Sequence, residues 1–196
     1  MAIYRALVPM VIDPIRTALL PYSARLEKRV PSDVDLVVIH CTELPDLQTA
    51  REYGERIHHA ASGTGNCGHL YIDRDGRTES WVELDRVAHH TRGYNQRSIG
   101  IELVNEGRWP DWLHSVHQDM SEPYPEVQIE VLLNLIEELR RKLPALRWIE
   151  GHENLDREKV PATDDPARQV FRKRDPGPLF PWRKVLASSS LERLAG

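Results

Sequence analysis

Only two of the 196 residues are cysteines, Cys41 and Cys67. That is too few for a disulfide framework, and too few by themselves for a structural zinc site. Both are expected to be reduced and at least partly buried. Long hydrophobic runs are also missing, since no apolar stretch approaches the roughly 20 residues that a membrane-spanning helix needs. The mildly apolar start is broken at Asp13, Pro14 and Arg16 and offers no continuous signal-peptide core. The expectation is therefore a cytoplasmic protein, or one released by a route other than a cleaved signal. Positive charge is not in excess: 26 Lys and Arg against 30 Asp and Glu give a net charge of −4. Acids and bases are mixed along the chain, so nothing points to nucleic acid. Internal repeats and low-complexity tracts are absent as well.

What is present suits one globular domain with a full core, at 40% hydrophobic and 29% charged residues. Residues 1–30 read as an N-terminal extension of undefined role and 31–190 as the domain proper. "DLVVIHCT" (35–42) is apolar on both faces, as in a central strand. The next stretch carries Thr49-x-x-Glu52 as a capping box, with Leu47, Ala50, Tyr53, Ile57 and Ala61 at helical spacing and Gly63 as the stop. "HLYIDRDGRTESWV" reads as a hairpin turning at Asp75-Gly76, and "SIGIELVN" (98–105) as a further strand. The longest helix sets Ile129, Leu132, Leu133, Ile136, Leu139 and Leu143 on one stripe. A short strand, "LRWIEGHE", and a last helix near Trp182–Ala187 complete the pattern. Strands interleaved with helices predict an α/β fold, a central mixed β-sheet flanked by α-helices. Residues 106–125 form a long aromatic-rich connection of the kind that carries function.

Three residues stand where a sheet offers a cleft. His40 ends an apolar strand, His152 follows a strand and a glycine, and Asp175 lies in "RKRDPGP" before a proline that limits its backbone. Two imidazoles and a carboxylate make a three-ligand set of the catalytic zinc type, with a fourth position left for water. Taken singly, each reads equally as a hydrogen-bonded core histidine or a salt-bridged aspartate, and residues 40, 152 and 175 form no local motif.

"VVIHCTE", "HLYIDRDGR", "AHHTRGYNQRSIGIELVN", "IEGHENL" and "RKRDPGPLFPW" occur in an order that resembles the zinc-dependent N-acetylmuramoyl-L-alanine amidases. This family includes bacterial muropeptide amidases, phage lysozyme-type amidases and the peptidoglycan recognition proteins. The likeness runs from about Asp35 to Trp182. It implies one Zn²⁺ held by His40, His152 and Asp175 in a cleft at one edge of the sheet. It also implies that Glu102 activates water and that Lys173, two residues before Asp175, stabilises the oxyanion. His90 and Asn95 match positions near the bound muropeptide, and Arg172 is a candidate for the acidic peptide stem. Where the phage members carry a Tyr, this chain has Gly68, which places it nearer the muropeptide branch.

The resemblance implies hydrolysis of the amide between N-acetylmuramic acid and L-alanine, in peptidoglycan or its fragments. A recognition protein that binds without cutting is the alternative, disfavoured because all five site residues are present. A cysteine peptidase is weaker still, since Cys41 sits inside an apolar strand with nothing to support a thiolate. His58 and His59 are read as structural, near a helix C-terminus, and His114 and His117 as surface residues. The sequence leaves the oligomeric state open.

Overall fold

The computed structural model describes residues 14–194. The part of the expected N-terminal extension before residue 14 therefore lies outside the described residues. In chain order the elements are β1 (Arg16–Thr17), β2 (Leu36–Cys41), α1 (Leu47–Gly54), β3 (Leu70–Ile72), β4 (Thr78–Ser80), β5 (Ser98–Leu103), α2 (Glu126–Lys142), β6 (Trp148–Gly151), α3 (His152–Leu155), β7 (Lys159–Pro161), β8 (Gln169–Phe171), α4 (Trp182–Ser189) and β9 (Glu192–Arg193).

Seven strands form one mixed sheet in the order β1-β4-β3-β5-β2-β6-β9, and β7 pairs with β8 in a separate ribbon. β2 is an interior strand, parallel to both β5 and β6 and buried at every position. This is what its β-branched, two-sided apolar pattern requires. Side chains alternate across the strands. Val37, Ile39, Ile99, Ile101 and Leu103 face one way, into a core shared with Ile129, Leu132, Ile136 and Leu139 of α2 and Val185 of α4. The apolar stripe of α2 is thus the larger face of the sheet's cover, with Leu133 only partly buried at its margin. A second core contains Leu20, Tyr22, Leu26, Ala50, Tyr71 and Trp81. Through it residues 20–26 pack as an integral part of the domain. No helix among the described residues is long and apolar enough to cross a membrane.

The first helix differs from its sequence pattern at both ends. Asp46, not Thr49, is the N-cap, and its Oδ1 accepts the Thr49 N–H at 2.6 Å. The helix stops at Gly54, although the apolar spacing continues to Ala61. The reason lies in the partners of the Gly54 carbonyl and of the His58 amide, which a longer helix would have joined to each other. The Tyr22 hydroxyl donates to the Gly54 carbonyl at 2.5 Å, and the His58 N–H goes to the Thr64 carbonyl at 3.0 Å. Residues 57–64 instead make a turn closed by a bridge between His59 and Thr64, and Ile57 is exposed. His58 and His59 therefore lie beyond the helix end. His59 bonds Asn66 at 3.0 Å and leans on the His89 ring, with no helix dipole to complement. The hairpin at residues 70–80 and the helix 126–142 form as their patterns predict.

Candidate functional site

β2 and β5 pair in register, so His40 stands directly beside Glu102. Their neighbours along the strands fill the core against α2, which leaves His40 and Glu102 on the opposite face. A cleft of about 390 Å³ opens there, beyond the carboxyl ends of the two strands. Such strand ends are where parallel sheets place their sites, because the following loops diverge. His152 is the first residue of α3, delivered by β6. Asp175 comes from the turn after β8, and that turn is tightly held. The Glu153 N–H donates to the Asp175 carbonyl at 2.9 Å, and the Tyr124 hydroxyl donates to the Pro176 carbonyl at 2.7 Å. Gly151 makes the approach possible, since a Cβ there would come within 2.9 Å of the Pro176 ring.

The three residues meet. His40 Nδ1 lies 2.8 Å and His152 Nδ1 3.1 Å from the same oxygen, Asp175 Oδ2. All three are buried, at 2–3% exposure. Asp175 Oδ1 and His152 Nε2 are buried without any hydrogen-bond partner. The donor set suits a tetrahedral ion: bonds of about 2.0–2.1 Å imply ligand atoms about 3.3 Å apart. Burial pulls His40 down to about 4, which leaves a neutral imidazole suited to metal. Burial alone would raise Asp175, but His152 opposes it most strongly and the carboxyl stays well below its usual range.

Glu102 Oε1 is 4.0 Å from His40 Nδ1. Burial pushes Glu102 well above the usual carboxylate range and the charge of Asp175 adds to this, while the Lys173 ammonium opposes both. Lys173 lines the cleft with Asp175. At Gly68, a Cβ would lie 2.8 Å from Glu102 Cγ. A side chain at 68 and Glu102 in its present place exclude each other, which gives a steric reason for a glycine here.

The remaining sequence candidates are placed differently. Asn95 Oδ1 accepts the backbone N–H groups of His90 and Thr91, at 3.1 and 2.7 Å, and so folds the loop that carries His90. Arg172 reaches the cleft rim but already faces Asp156 and Glu158 of its own chain. His114 and His117 are a stacked surface pair beside Asp164 and Asp111, as expected. Both cysteines are free and buried.

Sequence reasoning missed the pair Glu43–Arg108. Arg108 comes from the 106–125 loop and is only 2% exposed. Its Nε and Nη2 bind Glu43 at 2.6 and 2.8 Å, and its Nη1 donates to the Phe171 carbonyl at 3.0 Å. It thereby ties the end of β2, the long loop and the segment leading to Lys173. Glu43 has a φ of 49°, a left-handed conformation that a glutamate adopts only where its surroundings enforce it. The available signal was a lone arginine among tryptophans in "EGRWPDW".

A sequence profile described as N-acetylmuramoyl-L-alanine amidase (Amidase_2) matches residues 30–178. The endolysin of Escherichia phage T7 is 32% identical over 82 residues, which cover 41% of this chain and 54% of the endolysin. N-acetylmuramoyl-L-alanine amidase AmiD of Escherichia coli K12 is 36% identical over 91 residues, covering 46% of this chain and 27% of AmiD. The chain thus spans about half, or less, of the length of these curated relatives. Among solved structures, the N-acetylmuramoyl-L-alanine amidase LysC from Clostridium intestinale URNW has a TM-score of 0.64 at 19% identity, covering 91% of this chain and 99% of LysC. E. coli AmiD, solved with the substrate anhydro-N-acetylmuramic acid-L-Ala-D-gamma-Glu-L-Lys, has a TM-score of 0.61 at 21% identity, covering 82% of this chain and 59% of that chain. At such identities these structures speak for a shared fold.

Proposed function

The chain belongs to the N-acetylmuramoyl-L-alanine amidase (Amidase_2) family, and from that premise we propose that it hydrolyses the amide between the lactyl group of N-acetylmuramic acid and L-alanine. The observation that carries this reading is the convergence of His40, His152 and Asp175, two of whose buried polar atoms lack a partner, beside Glu102. The donor set suits Zn²⁺, with His40, His152 and Asp175 as ligands. When bound, zinc supplies Lewis acidity to a carbonyl and lowers the pKa of a coordinated water toward about 7.

Glu102 takes a proton from the attacking water as that oxygen bonds to the amide carbon. It returns the proton to the nitrogen as the C–N bond breaks, so that the amine of L-alanine leaves neutral. Lys173, which lines the cleft, meets the charge that develops on the carbonyl oxygen. Arg172, at the rim, exchanges Glu158 for a carboxylate of the peptide stem. Anhydro-muropeptide and intact peptidoglycan are both substrates of the chemical class this site fits, and the 106–125 loop on the cleft wall decides between them.

The test is zinc content and amide hydrolysis together, for the wild type and Asp175→Ala, on purified anhydro-muropeptide and on intact sacculi. Stoichiometric zinc in the wild type, with metal and activity both lost in the variant, is the expected result. A wild type that binds muropeptide yet cuts neither substrate would make the protein a recognition module.

A further inference from the structure

Ser98, Gly100 and Glu102 share one face of β5. Glu102 faces the metal ligands, and the other two hold His90. The His90 ring lies over Gly100, where a Cβ would come within 2.7 Å of its Cγ. Its Nε2 is 3.2 Å from Ser98 Oγ. Proton positions along this line follow from the serine. Its hydroxyl donates to the Tyr94 carbonyl at 2.7 Å, an acceptor only. Ser98 Oγ has no second proton, so it can only accept from His90. A neutral imidazole, the form that predominates above its ordinary pKa of about 6.5, carries one ring proton. The ring therefore carries its proton on Nε2 and presents a bare Nδ1.

That Nδ1 is 3.0 Å from His40 Nε2. Two bare nitrogens at this distance repel, so His40 carries its proton on Nε2 and donates it. Thr91 Oγ1, 3.0 Å from His90 Nδ1 and 3.3 Å from His40 Nε2, can share the bond without moving that proton. His40 is left with a bare Nδ1, the atom that faces Asp175 Oδ2 at 2.8 Å. A lone pair and a carboxylate oxygen so placed call for a cation between them.

We propose that the line Tyr94 carbonyl–Ser98–His90 fixes His40 in the tautomer whose Nδ1 binds metal, which makes His90 a positioning residue and not a contact for substrate. Both of its ring nitrogens are engaged within the protein. The inference rests on the zinc reading above. It adds residues that hold the first ligand in place, a role that changes metal affinity by about 10–100-fold where it has been probed.

The test has two arms. Nitrogen-15 NMR of the wild type, with and without zinc, reads the His90 tautomer directly. A protonated Nε2 and an unprotonated Nδ1 are expected in both states, with a scalar coupling from His40 Nε2 to His90 Nδ1 in the zinc form. A proton on His90 Nδ1 overturns the proposal, and this arm does not depend on any variant folding. The second arm is zinc affinity by chelator competition. His90→Phe keeps a ring but offers no acceptor and is expected to weaken zinc by about 10–100-fold. His90→Asn keeps an acceptor oxygen near the Nδ1 position and should recover most of that loss. Zinc bound by His90→Phe as tightly as by the wild type removes His90 from the site while leaving the metal reading intact. A wild type that takes up no zinc sinks the metal reading itself.

Discussion

Glu102 shows how a single residue sets stability against function. Its folded-state pKa is raised by burial above the ordinary value of 4.5, so the folded protein holds this proton more tightly than the unfolded chain does. The stabilising contribution is therefore complete below about pH 4.5 and is lost as pH rises through the raised value. Glu102→Gln keeps the shape and cannot ionise. In metal-free protein its melting temperature should exceed that of the wild type at pH 8, and the gap should close toward pH 4. Amide hydrolysis by the zinc-loaded variant should fall by about 100-fold or more, the usual contribution of a general base. Parallel melting curves at every pH would mean that burial does not raise the Glu102 carboxyl.

Among the elements, β5 carries the densest information. One face of "SIGIEL" joins the core through Ile99, Ile101 and Leu103, and the other builds the cleft through Ser98, Gly100 and Glu102. The strand periodicity made this alternation legible in the sequence, as it did for β2 and for the stripe of α2. The end of α1 was not legible. Its apolar spacing runs on to Ala61, and what stops it is a hydroxyl from Tyr22, 32 residues away, on the Gly54 carbonyl. Local periodicity carries no trace of such a contact. The proposed ligands His40, His152 and Asp175 were readable only through motif order, because their proximity is a property of the sheet. Glu43–Arg108 was hidden for the same reason: a buried ion pair looks like two ordinary charged residues until the fold brings them together.

The contact of β3's leading segment with β5 offers its own test. Gly68→Ala places a methyl 2.8 Å from Glu102 Cγ, and the carboxylate must move. The expected result is kcat lowered by roughly 10–100-fold with zinc content unchanged, as for a catalytic group displaced by about 1 Å. Zinc loss in step with activity would place the damage at the ligands instead.

At the scale of the whole molecule, Arg108 joins parts that share no secondary structure: the end of β2, the 106–125 loop and the strand that leads to Lys173 and Asp175. Removing one partner of a buried pair leaves the other charge stranded, at a cost of about 3–5 kcal/mol. Arg108→Ala should lose about that much stability in denaturant melts. It should also become sensitive to protease within residues 106–125, before the rest of the chain. Cleavage elsewhere first would show that the loop is held by its tryptophans alone.

The in-register pairing of His40 with Glu102 has a consequence for how the molecule is made. β2 lies between two parallel partners, each distant in the chain, and the placement of His40, Glu102 and His152 depends on those pairings. Parallel strands far apart in sequence close slowly, because the intervening chain must be ordered first. A one-residue slip of β2 against β5 would turn every side chain of the slipped strand to the opposite face. In such a slipped pairing His40 and Glu102 no longer stand side by side on one face. The proposed amidase site is therefore assembled only when both of these long-range pairings have closed.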